Sequence, residues 1–552
     1  MGIFTWHGWG HWGYSPIGDY FLDIADALRV FQGDIPYKDF VPTYGALHMF
    51  LAAPLFHLEN SFFPFLWVIT GILIMVQIIL LVALARKFLP PLWLCVLLIL
   101  AITSMAYAPT NSKFILGYSQ SGFLAVFLST LALFILFKAH PSPLRWFVGG
   151  MVLGLIPFTK IDLGFTSVAV GSLLLFIWWR KAPLASCGLF LGFFLSWLGG
   201  CAFLIAYGGQ APLLLESTLE CFGHVNLFKD KTFALRLKCA WGLGLLFILA
   251  LLFRGSRLNT LRLTGWLRPY AVFLLPLAII TDSFRAGYQE NSLKHLVGLN
   301  WLWVMIWTLI LSRVMTSIIR RRSLRPLRFG RLPILAPLLA ISGMGFLRAH
   351  GSGWYPLNYF QPAIMLLGVL WLARQSAYCS PAARLCLKPA LLVCSALLFS
   401  ISVMGCRPNP HALEWIHTPF GEVRSPLGTK SNELMGRFLS KIRATSSNET
   451  LLCTNTPFFN VLTGMRSAAF YTYFNRLGAT GKYQSIREEQ CLKLMKDRRP
   501  LFIYQGREIG RAHKRFGIDF GNEIAKYIHA HYKVIDEMNG AVLYQQKDEP
   551  LK

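Results

Sequence analysis

Residues 65–84, FLWVITGILIMVQIILLVAL, run for twenty positions without a charged side chain. A transmembrane helix needs about 20 predominantly apolar residues, so this run predicts a helix that crosses a membrane. Similar runs along the chain predict twelve spans, which begin near residues 65, 89, 121, 146, 163, 183, 238, 269, 297, 332, 359 and 389. The sequence therefore predicts a polytopic α-helical membrane protein.

The composition supports a membrane protein and argues against nucleic-acid binding. The 552 residues are 55% hydrophobic and 14% charged, with a mean hydropathy of +0.49, which is too apolar for a soluble protein of this size. The net charge of +27 lies mainly in short segments between apolar runs, where the positive-inside rule already accounts for it. The eleven cysteines form no CxxC pair and no Cys/His cluster at metal spacing, so we expect neither a disulfide framework nor a zinc site.

Charge in the loops predicts which side of the membrane each loop faces. Alternating the twelve spans divides the loops between 61 and 404 into two sets. One set holds 20 basic residues and no acid, whereas the other holds nine basic residues and all six acids. The Lys/Arg bias makes the first set cytoplasmic, so residues 18–60 and the chain from about 406 onward are expected outside an inner (plasma) membrane. The stretch GALHMFLAAPLFHL (45–58) favours a re-entrant or interfacial helix over a span.

The N-terminus raises a topological question. Twelve spans leave it outside, yet residues 1–18 lack the basic start and apolar core of a signal peptide. We therefore expect either unaided insertion with the N-terminus outside or a further transmembrane helix ahead of residue 19.

Three parts follow from this pattern. Residues 1–60 are expected to form a first extracytoplasmic loop with amphipathic helices, residues 61–405 a transmembrane bundle, and residues 406–552 a small extracytoplasmic α/β domain. In the last part, TLLCTN (450–455) and LFIYQG (501–506) are typical of buried strands, and NELMGRFLSKI (432–442) and EIAKYIHAHY (523–532) of helices. Asn539-Gly540 between two apolar-alternating arms predicts a β-hairpin.

The stretch GDYFLDIADALRVFQGDIPYKDFVPTYGAL (18–47) holds five of the 26 acidic residues. On a helix that starts near Gly18, Asp19, Asp23 and Asp26 share one face. One interpretation is the solvated face of an amphipathic surface helix. The other is that one carboxylate at the membrane surface serves as a general base toward an acceptor hydroxyl or amine.

Lys160 is a candidate cation. The apolar runs on both sides of Lys160-Ile161-Asp162 are short, so this turn is expected near the outer headgroups. An ionisable residue at that depth usually has a partner. Asp162 in a local ion pair and a lipid phosphate are both possible partners.

The remaining candidates are basic and aromatic residues of two outer loops. They are Arg285, Arg348, His350, Tyr355 and Tyr359. The donor fork of an arginine suits phosphate oxygens. The alternative is an aromatic belt in which Arg348 snorkels to the interface.

Four stretches together resemble a known family. They are residues 18–47, GGMVLGLIPFTKIDLGF (149–165), FLRAHGSGWYPLNYFQPAIMLLGVLW (346–371) and HTPFGEVRSPLGTKSNELMGRFLSKI (417–442). They are similar to the first outer loop, the lysine turn, the late outer loop and the start of the C-terminal domain of GT-C glycosyltransferases. This superfamily includes protein O-mannosyltransferases and bacterial aminoarabinose transferases.

The resemblance implies a bundle of about a dozen helices and a polyprenyl-phosphate sugar as donor. It also implies an inverting transfer to an acceptor glycan, lipid or protein on the extracytoplasmic side. The usual loop aspartate falls where this chain has Ile17, so Asp19 is the expected base and Asp39 the reserve. No cofactor is implied, and no essential metal is expected because the loop APTNSKFILGYSQSG (108–122) lacks an acid.

The resemblance also implies roles for the other candidates. Lys160, Arg285 and Arg348 would surround the leaving phosphate, where negative charge develops. His350, Tyr355 and Tyr359 would contact the substrate.

Two alternatives remain. A transporter or flippase for an amphiphilic lipid-linked substrate should place charged residues along a mid-membrane path, and the sequence has almost none away from the outer rim. A catalytically inactive relative that acts as a scaffold is the other, because of the departure at Ile17.

Overall fold

The computed structural model describes a large part of the 552-residue chain. The described residues are 19–106, 119–138, 140–223, isolated positions between 366 and 400, 414–425, 429–443, 450–454, 457–471, 484–506, 521–538 and 540–547.

The N-terminal segment, residues 19–61, forms three short helical elements. They are α1 (Asp19–Phe31), α2 (Leu47–Ala52) and a 3-10 helix (Ala53–Ser61). After α1 the chain turns at Gly33, whose φ of +90° lies in the left-handed region that glycine tolerates. Glu59, with φ of 45°, breaks the helical path before the next element.

Six apolar helices follow. They are α3 (Phe62–Ala85), α4 (Pro91–Ala106), α5 (Gln120–Phe137), α6 (Pro143–Leu155), α7 (Ile161–Trp178) and α8 (Pro183–Ala206), and α9 (Ala211–Gly223) comes after them. Among the described residues, three helical segments are long and apolar enough to cross a membrane: Leu47–Ala85, Gln120–Phe137 and Pro183–Ala206. Helices α4, α6 and α7 are apolar but shorter.

The first six predicted spans coincide with these helices. The starts predicted near 65, 89, 121, 146, 163 and 183 match α3 to α8 within a few residues. Later spans lie outside the described residues apart from isolated helical positions between 366 and 400. The number twelve therefore stays a prediction.

Helices α6 and α8 pack backbone against backbone because glycines replace side chains at their contact. A Cβ on Gly150 or Gly154 of α6 would collide with a carbonyl oxygen of α8, at Leu189 and Phe193. A Cβ on Gly192 of α8 would collide in turn with a carbonyl oxygen of α6. Glycines four residues apart are typical of close helix packing in membranes.

The helices place two kinds of loop at opposite ends of the bundle. At one end, Lys87 Nζ donates a hydrogen bond of 2.8 Å to the carbonyl of Phe137, so the basic turn after α3 meets the C-terminus of α5. At the other end, Gly45 N–H donates to Thr159 O at 3.1 Å, which joins the N-terminal segment to the turn before α7. The N-terminal segment thus covers the end opposite the basic turns.

The described residues of the sheet region, 414–547, form two sheets and four helices. Its elements are β1 (Glu414–Thr418), β2 (Gly421–Ser425), α10 (Thr429–Arg443), β3 (Thr450–Cys453), α11 (Phe458–Thr463), β4 (Arg466–Ser467), α12 (Gln484–Arg498), β5 (Phe502–Gln505), α13 (Asn522–His531), β6 (Tyr532–Met538) and β7 (Ala541–Gln546). Strands β1 and β2 form a hairpin. The predicted strands and helices of this region are present at the expected positions.

The larger sheet has five strands in the order β4-β3-β5-β7-β6. Strand β3 is parallel to β4 and β5, whereas β7 is antiparallel to β5 and β6. The hairpin predicted at Asn539-Gly540 is confirmed, because β6 and β7 pair up to Met538 and Ala541, and Gly540 has a φ of +76°. The mixed sheet packs helices against its faces, with Leu451, Phe502 and Leu543 in the core.

Helix α1 lies between the apolar helices and the sheet region. One hydrophobic core contains Phe21 of α1, Phe62 of α3 and Leu451 of β3. Every side chain from 21 to 30 is buried, including Asp23 with 1% and Asp26 with 0% of its surface exposed. The interpretation of these two aspartates as a solvated face is therefore wrong, because protein covers the side chains of residues 21–30.

Candidate functional site

Asp23 is a buried carboxylate where α1 meets the N-terminus of α5. Its Oδ2 accepts hydrogen bonds from Ser119 Oγ and from Ser121 N–H, both at 2.9 Å. Its Oδ1 lies 3.3 Å from Nε2 of His48 and accepts no hydrogen bond within the described part of the chain. The first free N–H groups of a helix carry partial positive charge, so this position stabilises an ionised carboxylate.

Lys160 lies beside this carboxylate. It occupies the N-cap position of α7, and only 2% of its surface is exposed. Its Nζ donates a long hydrogen bond of 3.4 Å to Ser119 Oγ and lies 3.8 Å from the centroid of the Tyr44 ring, a cation–π contact. A single serine hydroxyl therefore links the predicted phosphate-binding lysine to the carboxylate of Asp23.

The loop that carries Tyr44 is held on two sides. Asp26 Oδ2 accepts a hydrogen bond of 3.2 Å from Thr43 N–H, which ties the loop to α1. Gly45 presses against the 3-10 turn before α7, where a Cβ would collide with the carbonyl of Phe158. A larger residue at this position would separate the Tyr44 ring from Lys160.

A second buried carboxylate, Asp34, binds three arginines. Arg29 Nε donates to its Oδ2 at 2.9 Å. Arg498 reaches both oxygens, at 2.9 and 2.8 Å, and Arg466 reaches Oδ1 at 2.5 Å. These arginines come from α1, α12 and β4, so the three-arginine cluster joins the N-terminal segment to the sheet region.

The charges of this cluster shift the pKa of its members. Burial alone would raise the pKa of Asp34, but the Arg29 charge and the hydrogen bonds from Arg498 and Arg466 lower it to about 2. Burial lowers the pKa of Arg29 to about 10, against the opposing effect of Asp34. Both groups are ionised near neutral pH, and the cluster acts as a clamp between two parts of the chain.

The two aspartates predicted as bases have different positions. The backbone of Asp19 begins α1, and its side chain lies outside the described residues. Asp39 is half-buried, and its Oδ2 accepts a hydrogen bond of 2.8 Å from Ile35 N–H, which closes the turn after α1. Neither catalytic role is tested by this geometry, and both stay predictions.

Of the other predicted site residues, one lies within the described part of the chain. Lys160 lies beside Asp23. The rest of the set lies outside the described residues: Arg285, Arg348, His350, Tyr355 and Tyr359.

The structure adds residues that the sequence prediction had not selected. Ser119, His48 and Tyr44 all surround Asp23 or Lys160. A histidine in an otherwise apolar stretch was a usable signal for His48. Ser119 carried a helix N-cap pattern, a serine ahead of an apolar run, but nothing in the sequence indicated its distant partners.

A metal cluster is not found among the described residues, where no three His, Cys, Asp or Glu side chains come together. Asp23 and His48 form a pair only.

The described part of the chain thus defines a membrane protein with several apolar helices and a sheet region near its C-terminus. No protein-family model and no curated protein matches it. Among solved structures, the chain is similar to ArnT from Cupriavidus metallidurans in the apo state, with 12% identity and a TM-score of 0.43. That likeness covers 98% of this chain and 95% of the other.

A second similar structure is the Archaeoglobus fulgidus oligosaccharyltransferase. Its complex with Zn and sulfate is 12% identical, with a TM-score of 0.44 over 91% of this chain and 66% of that one. Its apo form is 11% identical, with a TM-score of 0.44 over 91% and 68%.

Proposed function

We propose that this chain is a membrane glycosyltransferase of the GT-C type. It transfers a sugar from a polyprenyl-phosphate donor to an acceptor on the extracytoplasmic side of the inner membrane, with inversion at the anomeric carbon. The acceptor is a glycan, a lipid or a protein. The proposal includes twelve spans and an extracytoplasmic domain formed by residues 406–552.

One observation carries this proposal. Lys160, which the sequence pattern predicts as a phosphate-binding cation, is buried at the end of the helix bundle together with a carboxylate of the acidic N-terminal segment. Burying a lysine is costly unless it meets compensating groups. A cation and an acid from distant parts of the chain thus meet where apolar helices end, and on this proposal the donor phosphate binds at this end of the bundle.

The proposed reaction needs a base and a stabilised leaving group. A carboxylate, Asp19 or Asp39, removes the proton from the acceptor hydroxyl or amine. The acceptor atom then forms a bond to the anomeric carbon as the bond from that carbon to the phosphate oxygen breaks. Polyprenyl phosphate leaves with the electron pair, and Lys160, Arg285 and Arg348 stabilise its charge. His350, Tyr355 and Tyr359 are proposed to bind the substrate, and no metal or cofactor enters these steps.

The test is transfer of a labelled sugar from a polyprenyl-phosphate donor by the purified chain in lipid vesicles. The acceptor class can be found beforehand by mass analysis of envelope glycolipids and glycans in a deletion strain. We expect Lys160→Met to raise the donor KM strongly and Asp19→Asn to abolish transfer. Lys87→Met is the matched control, because Lys87 lies at the opposite end of the bundle.

Several outcomes would revise or end the proposal. Loss of transfer in Asp39→Asn but not in Asp19→Asn assigns the base to Asp39. Full transfer in both variants ends the assignment of a loop base. Movement of the intact lipid-linked sugar across the vesicle membrane without transfer identifies a flippase instead.

A further inference from the structure

The three-arginine cluster carries more positive charge than Asp34 neutralises. Three guanidinium groups, of Arg29, Arg466 and Arg498, bind one carboxylate, which leaves an excess of two positive charges. Asp26 also acts on Arg29 through its charge, but more weakly than Asp34 does. An excess of one sign of charge in one place attracts ions of the opposite sign.

Asp39 does not remove this excess, although it lies beside the cluster. Its Oδ2 accepts a hydrogen bond from Ile35 N–H at 2.8 Å. Arg29 Nη2 donates to the backbone carbonyl of Asp39, at 3.4 Å, and not to its side chain. Within the described part of the chain, the Asp39 carboxylate forms no ion pair with the three arginines.

The oxygen atoms of Asp34 have no acceptor capacity left. Oδ1 accepts from Arg498 Nη2 at 2.8 Å and from Nε and Nη2 of Arg466, at 3.2 and 2.5 Å. Oδ2 accepts from Arg29 Nε and Arg498 Nη1, both at 2.9 Å. These five hydrogen bonds exceed the roughly four lone-pair sites of a carboxylate. The remaining N–H groups of the arginines therefore need another acceptor.

Arg466 is the arginine of the cluster with an open edge. Its side chain is 45% exposed, compared with 13% for Arg498 and 2% for Arg29. A guanidinium group carries five N–H donors in a planar fork, and Arg466 turns its Nε/Nη2 edge toward Asp34. Its Nη1 has no acceptor among the residues that the structure describes. The Nη1/Nη2 edge of Arg466 is therefore left for a second oxyanion.

The other two arginines use the corresponding nitrogen on the backbone. Arg498 Nη1 donates to Ser467 O at 2.5 Å as well as to Asp34, and Arg29 Nη1 donates to Ala469 O. Both side chains are thus fixed on the sheet region, and neither has the exposure of Arg466.

We propose that the three-arginine cluster is a binding site for a phosphate group, which is held at the Nη1/Nη2 edge of Arg466. Arginine forks bind phosphate oxygens in a bidentate manner. A phosphate monoester carries about −1.5 to −2 charges near neutral pH, which fits an excess of two positive charges better than the single charge of a carboxylate. Free inorganic phosphate and the headgroup of phosphatidic acid both offer this chemistry. The site goes beyond the proposed sugar transfer: its occupant strengthens the junction between the N-terminal segment and the sheet region.

Thermal unfolding of the full chain in detergent micelles tests the site. Millimolar inorganic phosphate is added at constant ionic strength, with chloride as the replaced anion. Phosphate should raise the Tm of the wild type along a saturating curve, because a ligand that binds only the folded state stabilises it. Arg466→Gln should raise the Kd obtained from this curve about tenfold or more, as expected for the loss of a charge-assisted hydrogen bond. An equal effect of chloride, or an equal Kd in Arg466→Gln, would overturn the proposal.

Arg466→Lys separates the fork from the charge. Lysine keeps the positive charge but loses the two parallel donors. This variant should bind phosphate more weakly than the wild type and more tightly than Arg466→Gln. Binding as tight as that of the wild type would show that charge alone attracts the anion, which contradicts the site.

Arg437→Gln is the matched control. Arg437 belongs to the same sheet region, is 52% exposed and binds the buried Asp536 together with Lys441. Its substitution removes an arginine of similar exposure without changing the three-arginine cluster, so phosphate should stabilise this variant as it does the wild type. If Arg437→Gln and Arg466→Gln lose the phosphate effect equally, phosphate responds to the overall charge of the chain and the proposal fails.

Phosphatidic acid added to the micelles distinguishes the two sources of the phosphate group. Stabilisation by phosphatidic acid but not by inorganic phosphate, lost in Arg466→Gln, identifies a lipid headgroup as the occupant. The reverse result identifies free phosphate. Absence of any Arg466-dependent stabilisation by either compound would refute the site. Sugar transfer does not enter these measurements, so their failure and the failure of the proposed function are separate results.

Discussion

Asp23 and Asp34 belong to one helix and the turn after it, and both are buried, yet their surroundings differ. Both oxygens of Asp34 accept hydrogen bonds from arginines, and the three arginines come from three different elements. Asp23 has one oxygen bound to a serine hydroxyl and a backbone N–H, and its other oxygen faces a histidine. A buried carboxylate bound by three arginines depends on those charges for its stability, whereas one bound by a hydroxyl and a backbone N–H depends mainly on neutral donors.

The largest expected effect is at Asp34. Among the described residues, Asp34 is the carboxylate that binds Arg29, Arg466 and Arg498 together, and Asp34→Asn removes its negative charge. The arginines then repel one another in a buried place, and removing one partner of such a cluster costs about 3–5 kcal/mol. Thermal or denaturant unfolding in detergent measures this loss of stability.

Glu422→Gln is the control for Asp34→Asn. Glu422 pairs with His417 at 2.8 Å, but both side chains are largely exposed, at 52% and 76%. Exposed pairs contribute about 0.2–1 kcal/mol. If both variants lose the same stability, the three-arginine cluster is not a clamp.

The next effect is a dependence of stability on pH. Asp34 has a folded pKa of about 2 and an ordinary value of 3.8, so its contribution is complete above pH 3.8. The contribution is lost as pH falls from 3.8 through 2, and this shift corresponds to about 2 kcal/mol. Unfolding measured at pH steps across this window should show the loss in wild type and its absence in Asp34→Asn. An equal slope in both proteins would assign the acid sensitivity to other carboxylates.

The arginines of the cluster should differ from one another. Arg498 is 13% exposed and binds both oxygens of Asp34, whereas Arg466 is 45% exposed. Solvent screens the exposed partner, so Arg498→Ala should cost about 2 kcal/mol and Arg466→Ala about 1 kcal/mol or less. Unfolding of the two variants side by side measures the order. A larger loss in Arg466→Ala would contradict the geometry of the cluster.

The smallest effect on stability is expected at Asp23. The amide oxygen of Asp23→Asn can still accept from Ser119 and Ser121 N–H, so only the charge is lost, at a cost of about 1 kcal/mol. The comparison becomes sharp when this variant is stable while Asp34→Asn is unstable. Unfolding measured on both variants decides this, and equal instability would remove the distinction.

The sequence predicted the elements that depend on local patterns. Apolar runs located α3 to α8, and an Asn-Gly pair located the hairpin that ends at Met538 and Ala541. Helical spacing and short apolar packets also located the helices and strands of the sheet region. These features depend on residues that are neighbours along the chain, so periodicity and turn chemistry suffice.

The surroundings of the aspartates depend on partners far away in the chain. Asp23 binds Ser119, which is 96 residues away, and Asp34 binds Arg498, which is 464 residues away. The spacing of the aspartates in α1 does not show that a sheet region covers the polar face of this helix. From the sequence alone, these charged side chains could therefore be interpreted as a solvated face. The side chains chosen as bases, Asp19 and Asp39, were selected by resemblance and await the experiments above.

The burial of α1 under the sheet region has a consequence for biosynthesis. Arg29 and Asp34 leave the ribosome long before Arg466 and Arg498, and translation proceeds at about 5–20 residues per second. For tens of seconds the nascent chain therefore holds a charged helix that lacks part of the protein that later covers it. A ribosome that stalls before residue 466 therefore leaves Asp34 without Arg466 and Arg498, two of the three arginines that bind it in the folded chain.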